Sequence, residues 1–199
     1  RDFDRFIATL AKQPFVFLIG VNTLFNALLQ KEAFLKLDFS QLRCTLAGGM
    51  AVQRDVAERW QSVTGCTIAQ GYGLTETSPV ISVNPVEDNL PASVGVPLRG
   101  IEVRIGDDDE LLVKTPGAML GYWNKPEATA QTFSEGWLHS GDLGRVDEEG
   151  FVYVVDRTKD MLIRGGENIY CVEVESVLYD HPEVMDAAVV GIPHRVLGE

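Results

Sequence analysis

Gln70-Gly71-Tyr72-Gly73-Leu74-Thr75-Glu76-Thr77-Ser78-Pro79 brings together several groups able to hold an anionic ligand. Gly71 and Gly73 allow a close backbone approach, and Tyr72 between them offers a flat face to a base. The Thr75 hydroxyl can donate to a phosphate oxygen, and Glu76 supplies a hard oxygen suited to Mg²⁺ held jointly with phosphates. A plain structural reading serves equally well: a glycine turn capping a helix, with Glu76 favourable near its N-terminus. Both readings stay open on the residues alone. Gly48-Gly49-Met50, Gly165-Gly166 and the charged run Asp156-Arg157-Thr158-Lys159-Asp160 read by default as turns and a solvated loop. In Trp137-Leu138-His139-Ser140-Gly141-Asp142 a carboxylate follows a glycine turn. It suits the two hydroxyls of a ribose, or else steadies its own turn. His139, alone in a β segment, reads as structural.

The elements that must carry these residues follow from periodicity. Asp2–Lys12 reads as a short helix stopped by Pro14, and Phe15–Ile19 as a buried strand. Asn22-Thr23 can cap a helix with Leu24, Phe25, Leu28 and Leu29 on one face. Leu42–Ala47 reads as a second strand, Val52 to Trp60 as a helix closed by Gly65, and Thr67–Ala69 as a third strand entering the Gln70 motif. Strand and helix alternating in this way predict a parallel α/β sheet. After Pro97 the pattern changes to period-two strands, Ile101–Ile105 and Glu110–Lys114. A helix from Pro126 to Phe133 and strands near Trp137, Arg145 and Phe151–Val155 follow. A last α/β pattern is predicted as strand 161–164, helix Val172–Tyr179 and strand 184–192. The expected organisation is an α/β subdomain over 1–96, a β-rich subdomain over 97–156, and the start of a mobile α+β domain over 157–199.

Composition narrows the partners. Apolar residues at 45% make a globular chain, and the longest apolar stretch is too short to span a bilayer. A net charge of −12 argues against nucleic acid as a partner, whereas small anions remain accessible to glycine turns and metal ions. Cys44, Cys66 and Cys171 match no zinc or disulfide pattern and fit a reducing cytosol. The chain opens without Met and ends without a turn signal, so it reads as an internal piece of a longer protein.

Taken in order, these motifs resemble the adenylate-forming superfamily of acyl-CoA synthetases, luciferases and adenylation domains. The resemblance rests on Ala47–Met50, Gln70–Pro79, Met119-Leu120-Gly121-Tyr122-Trp123, Gly136–Asp142 and Asp156–Glu175. The stretch Gly20–Leu29 is similar to the version in bacterial long-chain fatty-acid–CoA ligases. The resemblance implies a ligase that forms a carbon–sulfur bond, with ATP, Mg²⁺ and coenzyme A as co-substrates and a long-chain fatty acid as acceptor. It assigns adenine to Tyr72, the nucleotide cleft to Gln70–Gly71 and Gly48–Gly49, phosphate to Thr75 and Mg²⁺ to Glu76. It gives ribose to Asp142 and Arg157, and the hinge to Lys159. Asn22 and Gly48–Met50 would border the acyl chain, and Gly165–Gly166 would meet the pantetheine arm. The implied setting is cytoplasmic, with at most a peripheral association with the inner membrane.

Departures from the family pattern sharpen the expectations. Its phosphate loop and its C-terminal adenylation lysine lie outside residues 1–199, so the chain by itself is expected to be inactive and to self-associate through open sheet edges. The hairpin at Gly106–Asp109 is short, Asp109 stands where glycine is usual, and Cys171 replaces a common proline. Fatty acyl-AMP or aryl-acid ligation is the neighbouring reading, and a non-catalytic nucleotide-binding module is the alternative from another class. A dinucleotide-dependent dehydrogenase is set aside because no Gly-x-Gly-x-x-Gly follows a strand.

Overall fold

A computed structural model describes residues 2–179, 181, 184, 187–196 and 198. The chain divides into two compact units, one of residues 1–73 with 82–96, the other of residues 74–81 with 97–199.

The first unit begins with helix α1 (Phe3–Leu10), whose first turn is capped by the Asp2 carboxylate accepting the Arg5 N–H at 3.0 Å. Strand β1 (Phe17–Gly20), helix α2 (Asn22–Leu29), helix α3 (Glu32–Leu35), strand β2 (Cys44–Ala47), helix α4 (Arg54–Thr64) and strand β3 (Ile68–Gly73) follow. Strands β4 (Val80–Val83) and β5 (Val96–Pro97) complete a sheet ordered β1-β2-β3-β4-β5, with β1, β2 and β3 parallel. Helix α4 ends where Gly65 turns left-handed, φ +70°, its N–H on the Gln61 carbonyl at 2.8 Å.

The core between helices and sheet is aromatic at its centre: Trp60 packs edge-on to Phe25, with ring centroids 4.8 Å apart, and near Phe34 at 5.4 Å. The buried Trp60 Nε1–H donates to the Thr45 hydroxyl at 3.1 Å, so no indole proton is stranded. Gly95 locks the neighbouring loop. At φ +83°, with the Val83 carbonyl carbon 1.9 Å from where a Cβ would sit, only glycine fits.

The second unit is built on antiparallel strands β6 (Glu102–Ile105), β7 (Glu110–Lys114), β8 (Phe133–Ser134), β9 (Trp137–Val146) and β10 (Val152–Arg157), with helix α5 (Pro126–Thr132) before β8. Their order is β10-β9-β7-β6, with β8 on β9. Leu111, Val113, Leu138 and Val152 are almost fully buried, each contributing about 2 kcal/mol of apolar burial. The chain continues into a hairpin of β11 (Leu162–Arg164) and β12 (Glu167–Ile169), then helix α6 (Cys171–Tyr179).

Four expectations need adjustment. Strand β3 runs on through Gly73, so the glycines of the Gln70 motif are extended strand rather than a turn. Gly71 is enclosed there by Leu46, Ser82 and Val83, at 3.4–3.6 Å from a built Cβ, which is ordinary sheet packing. Strand β1 is not the buried strand expected, since Phe17 and Ile19 are 48% and 61% exposed and only Leu18 is buried. The 161–164 segment pairs antiparallel with β12 through the Gly165-Gly166 turn, a local hairpin and not a strand of an α/β sheet. Val184 and residues 187–192 lie outside regular structure, and Met185 and Asp186 fall outside the described residues.

Candidate functional site

In the first unit several residues singled out from sequence bind the protein's own backbone. Gln70 is 8% exposed; its Oε1 accepts the Val52 N–H at 3.0 Å and its Nε2 donates to the Pro91 carbonyl. Asn22, 4% exposed, accepts the Gln53 N–H at 3.0 Å. Both amide oxygens therefore fasten the connection from β2 to the following helix. Gly48 has only the Gly71 carbonyl, at 3.6 Å, near a built Cβ, and Gly49 is left-handed with φ +80°. Met50 is half-exposed beside them and Tyr72 half-buried at the end of β3.

The second unit holds a cleft of about 520 Å³ whose lining includes Glu76, Glu110, Tyr122, His139, Asp142 and Arg157. Its first wall is the 3₁₀ turn Thr75–Thr77. Buried Thr77 fixes that turn: its hydroxyl accepts the Leu74 N–H at 3.1 Å and lies 2.9 and 2.8 Å from the Leu74 and Pro79 carbonyls. Gly117 packs so closely that a Cβ would sit 2.8 Å from the Thr77 carbonyl oxygen. The Met119 N–H donates to the Glu76 carbonyl at 2.8 Å. The Tyr122 hydroxyl donates to Glu76 Oε1, also at 2.8 Å. That bond to a carboxylate, helped by desolvation, pushes the Tyr122 phenol above its ordinary pKa, so it stays a donor across the neutral range. Glu76 thus faces the cleft with one oxygen fixed. Thr75 is exposed on the same turn and does not line the cleft.

The opposite wall is an irregularity in β9. Between the pairs Glu110↔Leu143 and Leu112↔His139, strand β9 carries two more residues than β7, and Gly141 takes φ +74°. This bulge presents Asp142, whose side chain is 8% exposed. Arg157, its cross-strand neighbour, places Nε 3.6 Å from Asp142 Oδ1 while 69% of its side chain stays in solvent. Such a loose pair contributes little to stability, under about 1 kcal/mol, and leaves the guanidinium able to turn to a ligand. The Thr158 N–H donates to the Gly141 carbonyl at 2.9 Å, which seats the 157–159 segment on the bulge and brings Lys159 to the cleft.

Glu110, Thr77, Tyr122 and Asp156 received no role from sequence. Glu110 accepts from the Gly141 N–H at 2.9 Å and contacts His139 Nδ1 at 2.7 Å. Asp156, 2% exposed, accepts the N–H of Arg157 at 2.8 Å and of Cys171 at 2.6 Å, tying the end of β10 to the first turn of α6. A proline at 171 could not make the second bond. Gly165 and Gly166, with φ +64° and +91°, form the β11–β12 turn and are not among the cleft's lining residues. Thr77, Tyr122 and Asp156 were visible beforehand as motif members without a task, and Glu110 only as the head of a strand.

The charge balance of the cleft bears on its ligand. Five carboxylates (Glu76, Asp107, Asp108, Glu110, Asp142) face two permanent cations, Arg157 and Lys159. A polyphosphate entering such a site needs added positive charge. The described residues contain no cluster of three or more His, Cys, Asp or Glu able to hold a metal by themselves. The donor set therefore fits a metal shared between one carboxylate and ligand oxygens, and does not fit a self-contained protein site. No helix among the described residues is long and apolar enough to cross a membrane.

Residues 1–123 match the AMP-binding enzyme family model, and residues 173–199 match the AMP-binding enzyme C-terminal domain. A long-chain-fatty-acid–CoA ligase of Escherichia coli O6:H1 is 47% identical over all of this chain. The chain spans 37% of that relative's length. Among solved structures, ATP-bound MatB from Rhodopseudomonas palustris superposes with a TM-score of 0.88 at 32% identity, covering 100% of this chain and 41% of that one. The anthranilate CoA ligase AuaEII in complex with anthranoyl-AMP also reaches a TM-score of 0.88, at 31% identity over 98% of this chain and 40% of its own.

Proposed function

The chain belongs to the AMP-binding enzyme family, and from that premise we propose that the intact protein activates a long-chain fatty acid with ATP and passes it to coenzyme A. In the first step a carboxylate oxygen attacks the α-phosphate of ATP, and pyrophosphate leaves from the α-phosphorus, giving the acyl-adenylate. In the second, the thiolate of coenzyme A attacks the acyl carbonyl and AMP departs, conserving the acyl group as a thioester. The protein's contribution is to hold these groups in line and to offset developing charge.

Asp142 accepts hydrogen bonds from the ribose hydroxyls, and the exposed guanidinium of Arg157 closes on the same sugar. Glu76, with Oε1 held by Tyr122, offers Oε2 to the metal. A Mg²⁺ held there would supply the positive charge that phosphates need in this acidic cleft. Thr75 donates to a phosphate from the exposed edge of its turn. Lys159 serves as the hinge about which residues 157–199 move between steps, and the Gly165-Gly166 turn then meets the pantetheine arm. The reaction is set in the cytoplasm.

The observation that carries this reading is the pairing, inside one unit, of a nearly buried Asp142 with a Tyr122-held Glu76 across an electronegative cleft. The long-chain preference is supported by the 47% identity to the E. coli ligase. Incubating the intact protein with MgATP, coenzyme A and palmitate is expected to give AMP and palmitoyl-CoA in equal amounts. AMP release that does not depend on fatty acid refutes the reading. Because the likeness to the anthranilate ligase is also high, anthranilate is the competing acid, and turnover favouring it over palmitate reassigns the substrate.

A further inference from the structure

Glu110 stands at the one place where the β7–β9 ladder is interrupted. Two extra residues in β9 separate the register pairs on either side, and the Gly141 N–H has a carboxylate as its partner in place of a strand carbonyl. A buried N–H without an acceptor is costly, so the bulge needs a donated oxygen from somewhere. Glu110 provides it with Oε1 at 2.9 Å, while Oε2 lies 2.7 Å from His139 Nδ1. Since a carboxylate only accepts, Nδ1 carries the proton and the imidazole is held by its δ edge. One side chain, 21% exposed, thereby fixes the residues on both sides of Ser140.

The Gly141 peptide is gripped from its other end as well, its carbonyl accepting the Thr158 N–H at 2.9 Å. Asp142 follows Gly141 directly, and Arg157 precedes Thr158. Displacing Gly141 would therefore move the carboxylate and the guanidinium together.

The geometry points to Glu110 as a positioning residue for nucleotide binding, acting through the Gly141 peptide to set Asp142 and the Arg157–Lys159 segment. This rests on the proposed placement of the nucleotide ribose at Asp142. Alanine removes both acceptors. Glutamine keeps one oxygen for the Gly141 N–H but turns an NH₂ toward the ring, so His139 must move its proton from Nδ1 to Nε2. The two variants therefore separate the peptide clamp from the state of the ring.

The test is calorimetric binding of ATP with Mg²⁺ to the intact protein, with KM and kcat measured alongside and Asp142→Asn as reference. Losing a hydrogen bond to a carboxylate predicts roughly tenfold weaker ATP binding for Glu110→Ala. KM for ATP should rise by the same factor, with kcat and KM for palmitate changing by less than about threefold. Glu110→Gln is expected to stay within about threefold of wild type for ATP. Its ¹⁵N-labelled His139 ring, observed in the neutral form, should show the proton on Nε2. Glu110→Ala binding ATP like wild type while Asp142→Asn loses it overturns the positioning role and leaves the proposed function standing. Asp142→Asn binding ATP like wild type instead removes the placement on which the role depends. If Glu110→Ala does not fold, Glu110→Gln decides: a loss as large as that of Asp142→Asn, or an unchanged ring tautomer, overturns the role.

Discussion

Replacing Gly144 by alanine places a methyl group where the sheet has no space for one. A Cβ built on Gly144 lies 2.3 Å from the Tyr153 carbonyl oxygen and 2.9 Å from two side-chain carbons of Leu111. Leu111 is fully buried, and Gly144 pairs with Val154 across the β9–β10 ladder. A non-bonded carbon contact needs about 3.5 Å, so the two strands must part by roughly 1 Å or the Leu111 side chain must leave its rotamer. Overpacking of this kind costs about 3 kcal/mol, which is roughly a hundredfold in the population of the locally opened state. Native-state hydrogen exchange of β9 and β10 amides in the intact protein reads that change directly. Gly136→Ala is the control, since Gly136 has φ +81° but nothing within 4 Å of its Cβ. It carries only left-handed strain, about 1 kcal/mol or roughly fivefold. Exchange of Gly144→Ala within twofold of wild type, or a larger effect from Gly136→Ala, would refute the packing argument.

Tyr122→Phe removes the bond to Glu76 at a cost of about 1 kcal/mol, the low end for a partly exposed contact. Because that bond raises the folded phenol's pKa, its contribution is complete below the unfolded value of about 10 and is lost as pH rises through the higher folded value. Absorbance titration of the five tyrosines at 295 nm should lose a phenol from the alkaline end in the variant; loss from the ordinary range contradicts it. Asp109→Gly is expected to stabilise by about 0.5–1 kcal/mol, since Asp109 is exposed at φ +61° and follows Asp108 at φ +56°. A melting temperature below wild type would count against that. Asp156→Ala orphans the Arg157 and Cys171 N–H groups and should cost about 2–4 kcal/mol, read as faster exchange of the first amides of α6. Unchanged exchange there would show that the tie is unimportant.

The parts of the fold legible from sequence were those with strong local signals. Helix α2 buries the apolar face that its periodicity predicts, although Val21 and not Asn22 is its N-cap, while Pro126 opens α5 and Gly65 closes α4. The antiparallel ladder β6–β7 forms where it was read, but Leu111, Leu112 and Val113 are all buried in place of the expected alternation. Misreadings arose where tertiary packing overrides local chemistry. Gly71 and Gly73 look like a turn, yet the enclosure of Gly71 by β2 and β4 keeps the strand extended. At the cleft, Glu76 and Asp142 were visible because their residue types advertise chemistry, whereas Arg157 and Lys159, a solvated loop by default, were marked only by the family resemblance. Glu110 and Asp156 were not, because their work is to satisfy backbone N–H groups 31 and 15 residues away. Periodicity and composition contain no trace of such long-range acceptors. The same holds for Gln70 and Asn22, whose amides look available in sequence and are engaged by Val52, Pro91 and Gln53.

The most direct test of the account is a crystal structure of the intact protein with Mg²⁺ and an adenosine acyl-sulfamate, a stable mimic of the acyl-adenylate. The account predicts both ribose hydroxyls on the Asp142 carboxylate, at about 2.7 Å. A ribose bound elsewhere, with neither hydroxyl on Asp142, would contradict it.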